Sequence, residues 1–334
     1  MLNSLKFNLY LLCLMFGTFL TISSSSWISC WLGLEINLMS LIPILLIKIN
    51  PHSSESSIKY FIAQSLASIL IIFSTISNFF FNSSNSMIFF TLLIIVALSI
   101  KMGAAPFHFW LPQVIQTSNW TQMIIILTWQ KIAPMILLMF SMNNLIKLII
   151  LASCFIGVLG AINQTLLKKI LVYSSILHTG WLLSSIFCSV NIWFFYFSIY
   201  SIISLSLLVP LNFTNIYLSK NLFSSFLPPF FLIILFINLL SLAGIPPFLG
   251  FFMKLSTIIN LISLNFDYFL LITLIFSSLI SLFYYLRIMY SSMIMTSKIN
   301  KLNNLIFFNH PIHSTSLILS FLANLIFPML FMWN

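Results

Sequence analysis

Met87 to Gln116 reads MIFFTLLIIVALSIKMGAAPFHFWLPQVIQ, and these thirty residues decide the fold class. The first half is an unbroken apolar run, as a membrane helix requires. A straight helix crosses a hydrocarbon core in about 20 residues, so the stretch is too long for one, and Gly103 and Pro106 fall inside it. Proline removes an amide donor, and glycine lets the backbone leave helical space. The stretch therefore predicts a helix broken inside the membrane, with Lys101 and His108 beside the break.

The remainder of the chain follows the same logic. Of 334 residues, 61% are hydrophobic and 5% charged, whereas soluble domains carry roughly 25% charged residues. A water-soluble fold is excluded. Apolar runs bounded by Ser, Asn, Pro and Lys clusters give eleven segments: Leu5 to Ile22, Trp27 to Ile47, Ile58 to Ile76, Met87 to Gln116, Gln122 to Phe140, Leu145 to Ile162, Ile170 to Cys188, Ile192 to Leu211, Phe230 to Ile262, Tyr268 to Tyr290 and Ser316 to Trp333. The alternation of barrel strands is absent, so the fold class is an all-α polytopic membrane helix bundle of about 11 transmembrane helices. The ninth segment, interrupted at Gly244, Pro246 and Pro247, is also too long for one straight helix.

The formal charge of +10 is spread too thinly to track a phosphate backbone, which argues against nucleic acid as a partner. Cys13, Cys30, Cys154 and Cys188 stand in apolar runs without C-x-x-C spacing, and read as buried thiols with no zinc or iron–sulfur ligand set. His310 and His313, flanking Pro311, lack the further ligands a metal centre needs. Phosphate-binding loops and a Ser–His–Asp set are missing too, so no cofactor or metal is expected in this chain. Methionines and aromatic residues are explained by packing and interfacial anchoring. The first run lacks a small-residue cleavage site and reads as a span. With Arg287 the only arginine, no Arg-rich transit peptide is present, and an organelle protein of this composition is expected to be made inside the organelle.

Loop charges test the topology independently. With eleven spans, Lys6, Lys48, Lys59, Lys168, Lys169, Lys220, Arg287, Lys298 and Lys301 fall on the amino-terminal side, and Lys147 alone falls on the other. Nine against one is a positive-inside bias, with the amino terminus inside and the carboxyl terminus outside.

Four charges remain within segments: Glu35, Lys101, Lys131 and Lys254, the last being the one buried charge expected in the second half. A charge at the bilayer centre costs about 2.5–3.5 kcal/mol on insertion scales. These residues either lock helices together or form a proton or ion path. A short repeat bears on that choice. Gly103-Ala104-Ala105-Pro106-Phe107 and Gly244-Ile245-Pro246-Pro247-Phe248 share G-x-x-P-F, each with an aromatic three residues on, at an offset of 141. Five segments separate the breaks, so the second copy would be inverted, as in transporters whose broken helices line an ion path; two unrelated proline kinks are the alternative. The predicted organisation is one membrane domain, 1–334. Residues 1–143 and 144–291 form two inverted five-helix repeats, each with a broken helix, and 292–334 a loop and final helix. The copies differ chemically, since the offset carries Lys101 onto Leu242 and Glu35 onto Ile176. His108 and His178 are either possible proton relays or histidines satisfied by a carbonyl.

Trp31-Leu32-Gly33-Leu34-Glu35-Ile36-Asn37, Lys101 to Pro112, Trp129-Gln130-Lys131-Ile132-Ala133-Pro134, Tyr173 to Trp181 and Ala243 to Lys254 together resemble the antiporter-like membrane subunits of respiratory NADH:ubiquinone oxidoreductase, complex I. The resemblance spans essentially the whole chain and is closest to the short mitochondrial form. It implies that Glu35 pairs with Lys101, that Lys131 is a central relay and that Lys254 ends the path. Leu177 departs from the small residue expected beside His178. The resemblance also implies NADH, FMN, iron–sulfur clusters and ubiquinone in partner subunits. Expected partners are other membrane-arm subunits, including neighbouring antiporter-like ones, and membrane lipids such as cardiolipin. The expected location is the mitochondrial inner membrane with the amino terminus on the matrix side.

The mechanism this implies is electrostatic. Burial disfavours an ammonium and a nearby carboxylate favours it, so changing the Glu35 to Lys101 distance switches the lysine between holding and releasing a proton. Two other classes stay open: a free-standing cation/proton antiporter, and a structural scaffold that tolerates neutral residues at Lys101 and Lys131.

Overall fold

Asn50 and Pro51 show how the helices are started. The Ser53 hydroxyl accepts from the Asn50 amide at 2.9 Å and donates to its carbonyl at 2.7 Å, while proline, which needs no amide partner, takes the first helical position. The helix so begun, α3 (Pro51–Phe80), opens two turns before the apolar run read from sequence, and its exposed first turns carry the Glu55–Lys59 ion pair. The computed structural model describes residues 2–47, 50–80, 84–214 and 229–299. The final predicted span, Ser316 to Trp333, lies outside these, as do Lys48, Lys220, Lys301, His310 and His313; the Lys298 side chain is likewise not described.

Every regular element among the described residues is helical. Two compact units, Met1–Ser153 and Cys154–Asn334, divide the chain. In the first, α1 (Leu2–Ser23) packs on α2 (Trp27–Leu45), α2 on α3, and α3 on α4 (Ser84–Met102) and α5 (Trp110–Thr117). A helix broken into α6 (Trp120–Leu127), a 3-10 turn (Trp129–Lys131) and α7 (Ile132–Met139) completes it. Gly17 and Gly33 allow α1 and α2 to meet backbone to backbone: a Cβ on Gly17 would stand 2.9 Å from the Gly33 carbonyl. Helix α8 (Leu145–Ile162) carries the boundary. In the second unit α9 (Leu167–Cys188) is almost wholly buried, packed by α10 (Val190–Thr214), α12 (Leu249–Ser263) and α13 (Tyr268–Ile299), with α11 (Pro229–Ala243) against α10, α12 and α13.

Among the described residues eight stretches are long and apolar enough to cross a membrane, seven of them single helices and the eighth the interrupted run Trp120–Met139. The shorter apolar helices, Ile88–Met102, Leu232–Ala243 and Leu249–Ser263, belong to the two segments that Gly and Pro interrupt. The surface is apolar, with Leu5, Leu12, Phe19, Phe269, Phe276 and Phe283 all exposed, as suits contact with lipid. Buried serines satisfy themselves locally: Ser74, Ser174 and Ser175 donate to the carbonyls of Ile71, Leu171 and Val172 at 2.6, 2.8 and 2.7 Å.

Several sequence expectations need correction. Gln122 to Phe140 is not one helix but is interrupted at Trp129–Lys131. The cause is Pro134, which has no amide for the Gln130 carbonyl four residues earlier. Lys168 is not a solvated loop charge: it occupies the first turn of α9 and is 6% exposed, so Lys254 is not the one buried charge of its half. Cys13 is not buried; it lies exposed on α1 among leucines.

Candidate functional site

The two breaks share one backbone solution. At the first, Gly103 adopts φ +69° and the Ala104 amide reaches the Ser99 carbonyl at 3.0 Å; at the second, Gly244 adopts φ +84° and the Ile245 amide reaches Leu240 at 3.3 Å. Both are helix C-caps of the glycine-terminated kind, in which a left-handed residue lets the amide after it close back on the last turn. Positions 99 and 240 differ by the same 141 residues as the motifs. Cis peptides follow at Ala105–Pro106 and Pro246–Pro247.

The breaks differ in how they satisfy the remaining carbonyls that a helix end leaves without partners. At the first, the Trp110 indole donates to Ile100 at 2.9 Å and the Gln64 amide to Lys101 at 3.3 Å. At the second, the ammonium of Lys254 reaches back from α12 to Leu242 at 3.2 Å and Ala243 at 2.7 Å. A cation is favoured at this negative end of a helix. The sequence offset had carried Lys101 onto Leu242, a loss of charge. In space a lysine returns to that position from the far side of the break.

Close packing enforces this arrangement. A Cβ on Gly244 would lie 2.9 Å from Lys254 Cδ, and one on Gly250 would lie 1.5 Å from the Ser241 carbonyl oxygen. Gly244→Ala is expected to destabilise the protein by about 1–2 kcal/mol, the cost of a left-handed non-glycine residue. Thermal loss of the assembled protein in detergent would measure it, and an unchanged melting profile would contradict the C-cap.

In the first unit Lys101 is 5% exposed at the end of α4, and half-buried Glu35 on α2 lies within electrostatic reach of both Lys101 and Tyr60 without a direct ion pair. Tyr60, 2% exposed, packs edge-on to Trp110 at 5.7 Å. Lys131, 1% exposed, ends the 3-10 turn, so its ammonium stem leaves the chain where the helix ladder is already interrupted. Next to it, the Gln130 side-chain amide donates to Asn37 Oδ1 at 2.7 Å. His108 lies in the first break with Nδ1 3.2 Å from the Pro106 carbonyl oxygen and its ring against Phe109.

In the second unit His178 is buried on α9, with Nδ1 2.9 Å from the Tyr196 hydroxyl and its ring 5.1 Å from that of Tyr200. One turn along α9, Trp181 faces Lys254, whose Nζ lies 5.8 Å from the indole centroid, within cation–π range. Tyr284 and Tyr285 on α13 lie with ring centroids 4.5 Å apart and planes tilted by 56°, their hydroxyls buried. Sequence reading missed this tyrosine group. The available signal was position: these tyrosines stand inside apolar runs, away from the interfacial belts where tyrosine collects.

A polytopic helical protein with lysines held at interrupted helices defines an antiporter-like membrane subunit, and the comparisons place it. Residues 24–281 match the family NADH:quinone oxidoreductase/Mrp antiporter, TM, and the chain belongs to that family. Among its relatives, NADH-ubiquinone oxidoreductase chain 2 of Anopheles gambiae is 39% identical over 325 residues, covering 95% of this chain and 94% of that one. The protein of the same name from Aedes aegypti is 44% identical over 290 residues, 85% of each chain. The fold is shared with a chain of respiratory complex I from Thermus thermophilus with bound aureothin, at TM-score 0.81 and 21% identity over 95% of this chain and 78% of that one. It is shared also with a chain of the Mrp complex from Dietzia, at TM-score 0.74 and 20% identity over 84% and 59%.

Proposed function

We propose that this chain is a core membrane-arm subunit of a respiratory NADH:ubiquinone oxidoreductase, and that it translocates protons while redox chemistry proceeds in partner subunits. One observation carries the reading: in a chain with 5% charged residues, Lys101, Lys131 and Lys254 are all buried at helix interruptions. Burying an ammonium is costly, and a broken helix supplies the unpaired carbonyls that make it tolerable. Family membership and the names of the relatives support the assignment.

In this reading a proton loads at Lys101 under the influence of Glu35, passes to Lys131 and leaves from Lys254, with His108 and His178 as auxiliary relays. The chain contributes protonatable groups and no redox cofactor. Eleven crossings, in two inverted halves at 1–143 and 144–291, would place the amino terminus in the mitochondrial matrix. Neighbouring antiporter-like subunits would flank the chain, and anionic lipids such as cardiolipin would contact its basic loops.

Blue-native electrophoresis of source membranes, with mass spectrometry of the band, tests the assembly. Recovery in a large complex with NADH-oxidising subunits is expected; recovery only as a small free oligomer would favour a free-standing antiporter. Orientation is tested by cysteines introduced at Asn144 and Asn163, both exposed between helices, in a background with Cys13 replaced. Asn163→Cys should react from the matrix side and Asn144→Cys from the opposite side, and labelling of both from one side would refute the topology.

A further inference from the structure

Two glutamines tie the broken helix of the first unit to α2. Gln122 accepts from the Asn119 amide at 2.8 Å and donates to the carbonyls of Ile44 at 2.8 Å and Leu45 at 3.2 Å, which lie at the end of α2. Eight residues later, Gln130, next to Lys131, donates to Asn37 at 2.7 Å, two residues past Glu35 on α2. Both members of this second bridge are buried, Asn37 at 3% and Gln130 at 9% exposure. The bridges form two rungs of an antiparallel ladder between α2 and the broken helix, but they sit in different surroundings.

The Gln122 rung lies beside an intact helix start and satisfies helix-end carbonyls, so it ties the end of α2 to the start of the broken helix. The Gln130 rung lies in the 3-10 turn, where the Lys131 amide reaches Thr128 at 3.3 Å and the Ile132 amide reaches Trp129. Bonds of this tighter kind have poorer geometry than those of an α-helix, so side-chain contacts count for more in holding the turn. We propose that Asn37 and Gln130 are a positioning pair that fixes Lys131 relative to the helix bearing Glu35, so that proton transfer from Lys101 to Lys131 depends on the bridge. The proposal rests on the proton-path reading and adds two residues to it. Neither is expected to carry the proton, because an amide stays neutral across the working pH range.

The test uses the assembled complex in sealed vesicles, comparing Asn37→Leu, Gln130→Leu, the double variant, the exchange Asn37→Gln with Gln130→Asn, and Lys131→Met. Each Leu variant should assemble, because the Gln122 rung remains, yet slow coupled turnover about tenfold and shift its pH profile, as misplacement of a proton donor does. The double variant should be no slower than either single one. The exchange, which keeps the combined side-chain length, should recover most of the rate. Leu variants that pump normally with an unshifted pH profile, while Lys131→Met does not pump, would overturn the positioning role and leave the lysine path standing. Loss of assembly in Leu and exchange variants alike would show a structural bridge only. Normal pumping by Lys131→Met would remove the path and the proposal together.

Discussion

Replacing Lys254 with Gln or Arg is expected to leave the complex assembled and to slow proton transfer through this subunit by about 100-fold or more, the scale on which a positioned proton carrier contributes. The geometry makes these two variants decisive. Lys254 bonds the Leu242 and Ala243 carbonyls, so Lys254→Met removes the donors along with the charge, and each buried carbonyl left without a partner costs about 1–3 kcal/mol. A defect in Met alone would therefore be ambiguous. Gln keeps two N–H donors and never titrates; Arg keeps donors and charge but does not release its proton. If the lysine merely caps α11, Gln and Arg will pump normally and Met alone will fail. If it carries protons, all three will fail, and only Met will also reduce assembly. Proton uptake per electron pair in vesicles, beside electron transfer to an artificial acceptor, separates the outcomes.

The second large effect concerns Glu35 and Lys101. Glu35 lies within electrostatic reach of Lys101 without a direct ion pair, so coupling between them would be electrostatic and not a fixed hydrogen bond. Glu35→Gln should leave Lys101, 5% exposed, without its compensating charge and reduce both assembly and pumping. Neutralising both, as Glu35→Gln with Lys101→Gln, should restore assembly toward the native level while pumping stays lost. The expected coupling in a double-mutant cycle on assembly yield is about 0.5–3 kcal/mol. Additive losses would show that the residues are not partners, and pumping by the doubly neutral variant would favour the scaffold reading.

What could be read from the chain and what could not divide along physical lines. Gly103, Pro106, Gly244 and Pro247 act through their own backbones, so the two breaks were visible in sequence and their shared cap follows from residue type. The interruption at Trp129–Lys131 acts through an absence, the amide that Pro134 lacks, three residues beyond the lysine it frees. Lys254 stood out as a charge in an apolar run. Its partners could not, because they lie across a break whose reversal no periodicity records. Lys168 was assigned by distance from the nearest run, and helix α9 begins earlier than that run suggested. Tyr196 and Tyr200 of α10 meet His178 of α9, and Tyr285 of α13 comes within reach of Tyr200, meetings that depend on packing alone.

The second break also bears on biogenesis. Helices α11 and α12 each have 15 residues, a rise of about 22 Å, while the hydrocarbon slab is about 30 Å thick. Neither half can be released sideways from a translocase as a lone span. They must partition together, and the open turn between them would meet acyl chains with bare amides and carbonyls. Pro246 and Pro247, the exposed residues of that turn, bring no amide at all, and Lys254 covers the carbonyls that end α11. Helices α9 and α10, which supply the protein surface against which α12 packs, are made first, so vectorial synthesis delivers the receiving wall before the fragile element arrives.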